Sequence, residues 1–359
     1  MATVESYETA GGKRYMVRFR TPDRTQSKKR GFRTKREAEA FAATVEVEKM
    51  TGSYVAPSAG RITLEVVAEK WFSSKVNLSA STRSRYRSAL DVHVLPTFGR
   101  ISISDVTRER LRDWVTAMST TSSAATVQKN VGVLSQILDQ AVEDSRIVSN
   151  PAAGLDLPRI EHEERRYLSF EQVDLLAKAA DDHAVLVYVL AYCGLRFGEA
   201  AALTVTDVNL ERARLRIHRS ATVVDSKIVV SGTKSNKGRD VPIPQFLGEM
   251  LTERIEDMSP EQLVFPDSRG GYLRSNNVRR RWWDHAVKES GVPDGLTPHE
   301  LRHTAASLAI SAGASIKAVQ RMLGHASAAL TLDRYGHLFD DDLGMVAQRL
   351  HDLARPATQ

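Results

Sequence analysis

Thr297-Pro298-His299-Glu300-Leu301-Arg302-His303 (TPHELRH, residues 297–303) is the stretch from which the rest of the chain can be read. Thr297 suits a helix N-cap and Pro298 the first helical position, so the segment predicts a helix start. Glu300, three residues after Thr297, completes a capping box. His299 and Arg302 then share one helix face, a titratable ring beside a permanent cation. Two further stretches lie upstream. Gly194-Leu195-Arg196-Phe197-Gly198-Glu199 closes an apolar helical run at 184–192. Thr233-Lys234-Ser235-Asn236-Lys237-Gly238-Arg239 forms a polar hairpin between strand patterns near 228–230 and 241–243. Downstream come Leu323-Gly324-His325, where glycine ends a helix, and Asp333-Arg334-Tyr335-Gly336-His337. Each stretch alone has an ordinary reading: an arginine against a helix dipole, a solvated lysine, an exposed glutamate, a packing tyrosine.

Outward from this half, Asn150-Pro151, Pro158 and the charged run 161–166 read as a hinge. Before it, 61–157 has helical periodicity, with Leu64, Val67, Ala68 and Trp71 on one face and Val131, Leu134, Leu138 and Ala141 on another. Arg83, Arg85 and Arg87 sit there among small hydroxyl residues, a candidate grip on phosphates. Residues 57–60 read as a linker. At the N-terminus Tyr15, Val17 and Phe19 alternate with Met16, Arg18 and Arg20, and residues 27–32 read as a return strand. Thr34 and Glu37 then open a helix. The expected fold is therefore multidomain. A small three-stranded sheet with one helix (1–56) precedes an all-helical domain (61–157), then a mixed, mainly helical domain with a small antiparallel sheet (160–359).

The 359 residues are 42% hydrophobic and 26% charged, a globular balance. No run reaches the ~18 apolar residues of a membrane span, and no signal-peptide core is present, so a cytoplasmic protein is expected. One cysteine, Cys193, excludes an internal disulfide. The net charge of +6 is uneven: residues 11–36 carry 11 basic side chains against Asp23, whereas 161–359 carry 25 basic and 27 acidic. Such a basic block is the footprint of a polyanion binder, and Arg18, Arg20, Lys28, Lys29 and Arg30 are its candidate contacts.

Arg196, Lys234, His299, Arg302, His325 and Tyr335, in this order and at these separations, resemble the active site of the tyrosine recombinases, the phage integrase family. The flanks agree: Leu195 and Gly198-Glu199 around Arg196, Val241-Pro242-Ile243-Pro244 after Lys234, and Leu323-Gly324 before His325. The resemblance spans about 61–340, and the basic N-terminal sheet is similar to the arm-type DNA-binding domain of integrases that bind two kinds of site. It implies a helical, SAM-like core-binding domain and a catalytic domain that together clamp duplex DNA. It also implies four protomers exchanging strands through a four-way junction, with a host architectural protein and an excision factor as accessory partners. The physical logic agrees with the residue types. Cutting a phosphodiester without metal or cofactor requires stabilising a doubly charged, pentacoordinate transition state, and two guanidinium forks, Arg196 and Arg302, suit it. A tyrosine hydroxyl, of pKa ~10, needs a base, for which His299 is the candidate. Lys234 delivers a proton to the departing 5′-oxygen, His325 donates to the phosphate, and Glu199 holds the arginine network. Tyr335 forms a 3′-phosphotyrosyl link, so rejoining needs no ATP. His303 and His337 are left outside this set as structural.

Three rivals are weighed. HELRH fits the H-E-x-x-H zinc-peptidase pattern, but the capping role of Glu300 explains its carboxylate without metal. A type IB topoisomerase shares the tyrosine chemistry, and against it stands the second basic module. A non-catalytic DNA-binding repressor has no use for all six residues. Leu343, Val346, Leu350 and Leu353 form an apolar stripe beyond Tyr335, expected to dock on a neighbouring protomer.

Overall fold

The computed structural model describes residues 2–21, 24–52, 54–56, 58–161, 166–233, 238–339, 350–351 and 354. Two compact units divide the chain, 1–162 and 163–359. No helix among the described residues is long and apolar enough to cross a membrane.

The first unit opens with strands β1 (Thr3–Thr9), β2 (Gly12–Arg20) and β3 (Gln26–Phe32), an antiparallel sheet in that order. Alternation along β2 sends Val17 and Phe19 into a small core shared with Ala38 and Val45 of helix α1 (Lys35–Met50). Arg18 and Arg20 therefore fall on the opposite face, and the register pairs Arg18 with Lys28 and Met16 with Arg30 on that side. Lys29 pairs with Val17 and departs from the expected set. Its ammonium stands 4.3 Å from the Phe41 ring centroid, on the helix-covered side. The expected cap of α1 forms in full: Thr34 Oγ1 accepts from the Glu37 amide at 3.2 Å, and the Glu37 carboxylate accepts from the Thr34 amide.

Five helices follow: α2 (Leu64–Ser74), α3 (Ala80–Ala89), α4 (Leu95–Phe98), α5 (Arg108–Ser119) and α6 (Ala124–Glu143), with a π-helical passage at Leu90–Val94. Their apolar stripes meet in a core that includes Trp71, Phe98, Leu111, Leu134 and Leu138. Helix α6 stops at Glu143, before the Asn150-Pro151 signal. Asn150 instead pins the following turns back onto α6 by donating to the Ser135 carbonyl (3.1 Å) and the Asp139 carboxylate (2.6 Å).

The second unit is mainly helical. Helices α7 (Phe170–Ala179), α8 (Ala184–Cys193) and α9 (Phe197–Ala201) lead into β4 (Val208–Asn209), β5 (Arg214–Ile217), β6 (Arg219–Val224), β7 (Lys227–Gly232) and β8 (Arg239–Pro242). Helices α10 (Gln245–Ile255), α11 (Ser275–Val278), α12 (Asp284–Ser290), α13 (Glu300–Ser311), α14 (Ile316–Leu323) and α15 (Ala328–Tyr335) complete it. Strands β4, β5 and β8 form one antiparallel sheet, and β6 and β7 a separate hairpin. Apolar on most sides, α8 is the buried spine: Leu186, Val187, Val189, Leu190, Ala191 and Cys193 all lie in the core. Helix α13 starts at Glu300, later than the Thr297 cap predicts, yet the Glu300 carboxylate still accepts from the Thr297 amide at 2.6 Å.

Candidate active site

Helix α8 ends in a left-handed residue, Gly194 (φ 63°), where a Cβ would stand 2.7 Å from Leu323 Cδ2. The chain turns there and places Arg196 as the N-cap of α9. Arg302, in the first turn of α13, reaches back to the helix ends on either side. Its Nη1 donates to the Gly194 carbonyl at 2.6 Å and its Nη2 to the Leu323 carbonyl. These are C-terminal carbonyls without partners inside their own helices, so one guanidinium fixes α8, α13 and α14 to each other. Arg302 is 3% exposed, and burial, followed by repulsion from Arg196, pushes its pKa down to about 9. It remains a cation at neutral pH.

Glu199, at 2% exposure, binds two arginines. Its Oε1 accepts from Arg196 Nη1 at 2.9 Å and from Arg239 Nη1 at 3.0 Å, and its Oε2 accepts from Arg239 Nη2 at 2.6 Å. Burial, the largest single influence, pushes the carboxyl pKa up, but the hydrogen bonds and charges of Arg239 and Arg196 together outweigh it and the net shift is downward. Arg239 also donates through Nε to the Met322 carbonyl at 2.9 Å. It passes beside Gly324 (φ 65°), where an added Cβ would stand 2.9 Å from Arg239 Cδ. The left-handed turn at Gly324 then delivers His325.

His299 caps α13 and stays open to solvent, yet partial desolvation and then Arg302, Arg196 and Arg334 hold its pKa below the ordinary value. His325 is buried, and its pKa falls to about 4 through burial first and then through Arg302 and Arg334. Its Nδ1 lies 2.9 Å from Thr331 Oγ1, whereas Nε2 has no hydrogen-bond partner among the described residues. A neutral imidazole that accepts from Thr331 carries its proton on Nε2, which makes that N–H an unused donor. Tyr335 ends α15 with 0% exposure, packed on Ala306, Ile310, Val319 and Leu323. Its ring runs parallel to His325 at 6.3 Å, and its hydroxyl lies 2.7 Å from His303 Nδ1.

Five of the six residues singled out in the sequence thus stand in one cluster: Arg196, His299, Arg302, His325 and Tyr335. Lys234 lies outside the described residues, as does the side chain of His337. Two residues were missed. Arg239 stands at the end of the quoted hairpin stretch, but a loop arginine carries no spacing signal that tells it from a solvated one. The sequence alone leaves His303 as structural, although its separation from His299 puts both on one face of α13. Among the candidate DNA contacts, Arg87 departs from expectation. It donates to both oxygens of Asp91 and to Glu69 (2.7 Å), so its charge is already matched. Arg83 stacks on Phe72 at 4.9 Å and Arg85 donates to the Ser81 carbonyl.

Residues 166–341 match the phage integrase family, and residues 64–157 match the phage integrase central domain. The chain belongs to the phage integrase family. Its activity is that of a site-specific tyrosine recombinase. The integrase of Mycobacterium phage D29 is 30% identical over 278 residues, 75% of this chain and 73% of that one. Among solved integrases, that of the Tn1549 transposon is 20% identical, with a TM-score of 0.70 over 81% of this chain and 100% of the other. A lambda integrase tetramer bound to a Holliday junction is 20% identical, with a TM-score of 0.60 over 90% of this chain and 96% of the other. These last two likenesses are of fold.

Proposed function

We propose that this family member cleaves and rejoins duplex DNA through a 3′-phosphotyrosyl link at Tyr335, integrating and excising a mobile element or phage in the cytoplasm of a bacterial host. The observation that carries the reading is one cluster in which His325 and Arg302 stand beside Tyr335, and Arg196 and His299 stand beside Arg302. Two guanidiniums crowd there with Glu199 as a shared counter-charge. Their mutual repulsion is relieved by a phosphate anion, and relieved further as that anion gains charge in the transition state. Arg196 and Arg302 take the nonbridging oxygens, and His325 donates from the Nε2–H that has no described partner. Lys234 is assigned to protonate the departing 5′-oxygen, and Glu199 to orient Arg196.

At the level of domains, we assign 1–56 to arm-type sites, 61–157 to core-type sites with 57–60 as linker, and 160–359 to catalysis. The lambda tetramer on a four-way junction supports an assembly of four. The stripe beyond Tyr335 that would dock between protomers lies outside the described residues, apart from the exposed Leu350. The test is a nicked suicide duplex spanning the junction between the encoding element and its host DNA. Wild type is expected to yield a covalent protein–DNA adduct and Tyr335→Phe none. Equal yield from the Phe variant would overturn the assignment of the nucleophile.

A further inference from the structure

The side chain that meets the Tyr335 hydroxyl is not the histidine expected to activate it. His299 and His303 are neighbours along one face of α13, with ring centroids 5.6 Å apart, but they face different surroundings. His299 is open to solvent and feels the charges of Arg302, Arg196 and Arg334. His303 is half-buried, and its Nδ1 lies 2.7 Å from Tyr335 Oη. We propose that His303 is a further catalytic residue, the group that takes the phenolic proton of Tyr335. The inference rests on the reading of Tyr335 as nucleophile and deepens it.

Three observations carry it. The separation is within direct proton-transfer reach, with no water needed between the two atoms. Tyr335 has no exposed surface, so in this arrangement a side chain and not bulk water receives the proton. His299, placed among the arginines, is positioned for the phosphate those arginines attract, which divides the work of the two rings. The step balances. As the Tyr335 oxygen bonds to phosphorus, its O–H bond breaks and the proton passes to His303 Nδ1. The P–O5′ bond breaks, and the departing alkoxide takes a proton from a separate acid, Lys234 in the scheme above. On rejoining, the 5′-hydroxyl gives its proton back to the neutral Lys234 amine as its oxygen bonds to phosphorus, the P–O bond to Tyr335 breaks, and His303 returns its proton to the leaving phenolate. Acceptance at Nδ1 requires that the neutral ring hold its proton on Nε2.

The test measures single-turnover adduct formation by the full-length protein on the nicked junction duplex. One substrate has the ordinary phosphodiester and the other a 5′-bridging phosphorothiolate, whose thiolate departs without a proton. His303→Gln is expected to slow adduct formation by ~10²- to 10⁴-fold on both substrates while duplex affinity holds. A defect that disappears on the phosphorothiolate would place His303 with the leaving group and overturn the proposal. So would a His303→Gln rate within about threefold of wild type. Tyr335→Phe is run alongside, and an adduct from it contradicts the nucleophile assignment itself, whatever His303 does. Should His303→Gln fail to fold, nitrogen-15 spectra of the wild-type imidazoles decide. An unprotonated Nδ1 with the proton on Nε2 is expected, and the opposite tautomer overturns the proposal.

Discussion

Arg302 donates to the carbonyls of Gly194 and Leu323 while its charge stands beside Arg196, so one side chain both holds the cluster together and charges it. Lysine keeps the charge but cannot span two carbonyls with a planar fork. Arg302→Lys is expected to lower single-turnover cleavage by ~10²- to 10³-fold and stability by about 1–3 kcal/mol, read by adduct formation and by denaturant unfolding. His325 gives a pH prediction. Its folded pKa of about 4 lies below the ordinary histidine value, so the unfolded chain takes up the proton first as pH falls. Stability from this group is complete above pH ~6.5 and is lost as pH falls towards about 4, at most about 3 kcal/mol in all. His325→Asn should flatten that acid limb in unfolding measured between pH ~7 and ~4; an unchanged limb contradicts the assignment. At this scale the charged members of the site were legible because two arginines, two histidines and a tyrosine are unusual company in fixed order. Arg239 and His303 were not, because what distinguishes them is a contact across the fold, to Glu199 and to Tyr335, that no local spacing encodes.

The elements set the site through their ends. Gly194 and Gly324 both close helices in the left-handed region, and both leave space that a neighbour fills, Leu323 in one case and Arg239 in the other. Gly324→Ala combines an unfavourable φ with a collision against Arg239 Cδ. It is expected to cost about 2 kcal/mol or more and to lower cleavage by displacing His325. Thermal unfolding together with adduct formation checks both parts. Elements with strong periodicity or complete caps were readable in advance, as α1 with Thr34 and Glu37 and α6 with its apolar stripe show. Strand β6 was not, since Arg219, Ser220 and Thr222 give it no clean apolar alternation. The start of α13 shifted because Glu300 makes its backbone bond to Thr297 from the first helical turn without making Thr297 the cap.

At the scale of the whole molecule, positive charge concentrates on one face of the N-terminal sheet, where Arg18, Arg20, Lys28 and Arg30 share a side and Lys29 turns away beneath α1. Replacing those four by glutamine should flatten the salt dependence of duplex DNA binding, lowering the log–log slope by about 3–4. Lys29→Gln should leave the slope nearly unchanged. Equal effects would contradict the division between the two faces, which strand alternation made partly legible, although Lys29 could be excluded only once the helix side was known. The central claim is that Tyr335, set among Arg196, Arg302, His299 and His325, attacks a backbone phosphorus without metal. Its most direct measurement is to trap the adduct on the nicked junction duplex in excess chelator, digest it, and sequence the DNA-linked peptide by mass spectrometry. The account predicts a peptide carrying Tyr335 joined to a 3′-phosphate. Linkage at another residue or to a 5′-phosphate, or loss of the adduct in chelator, would contradict it.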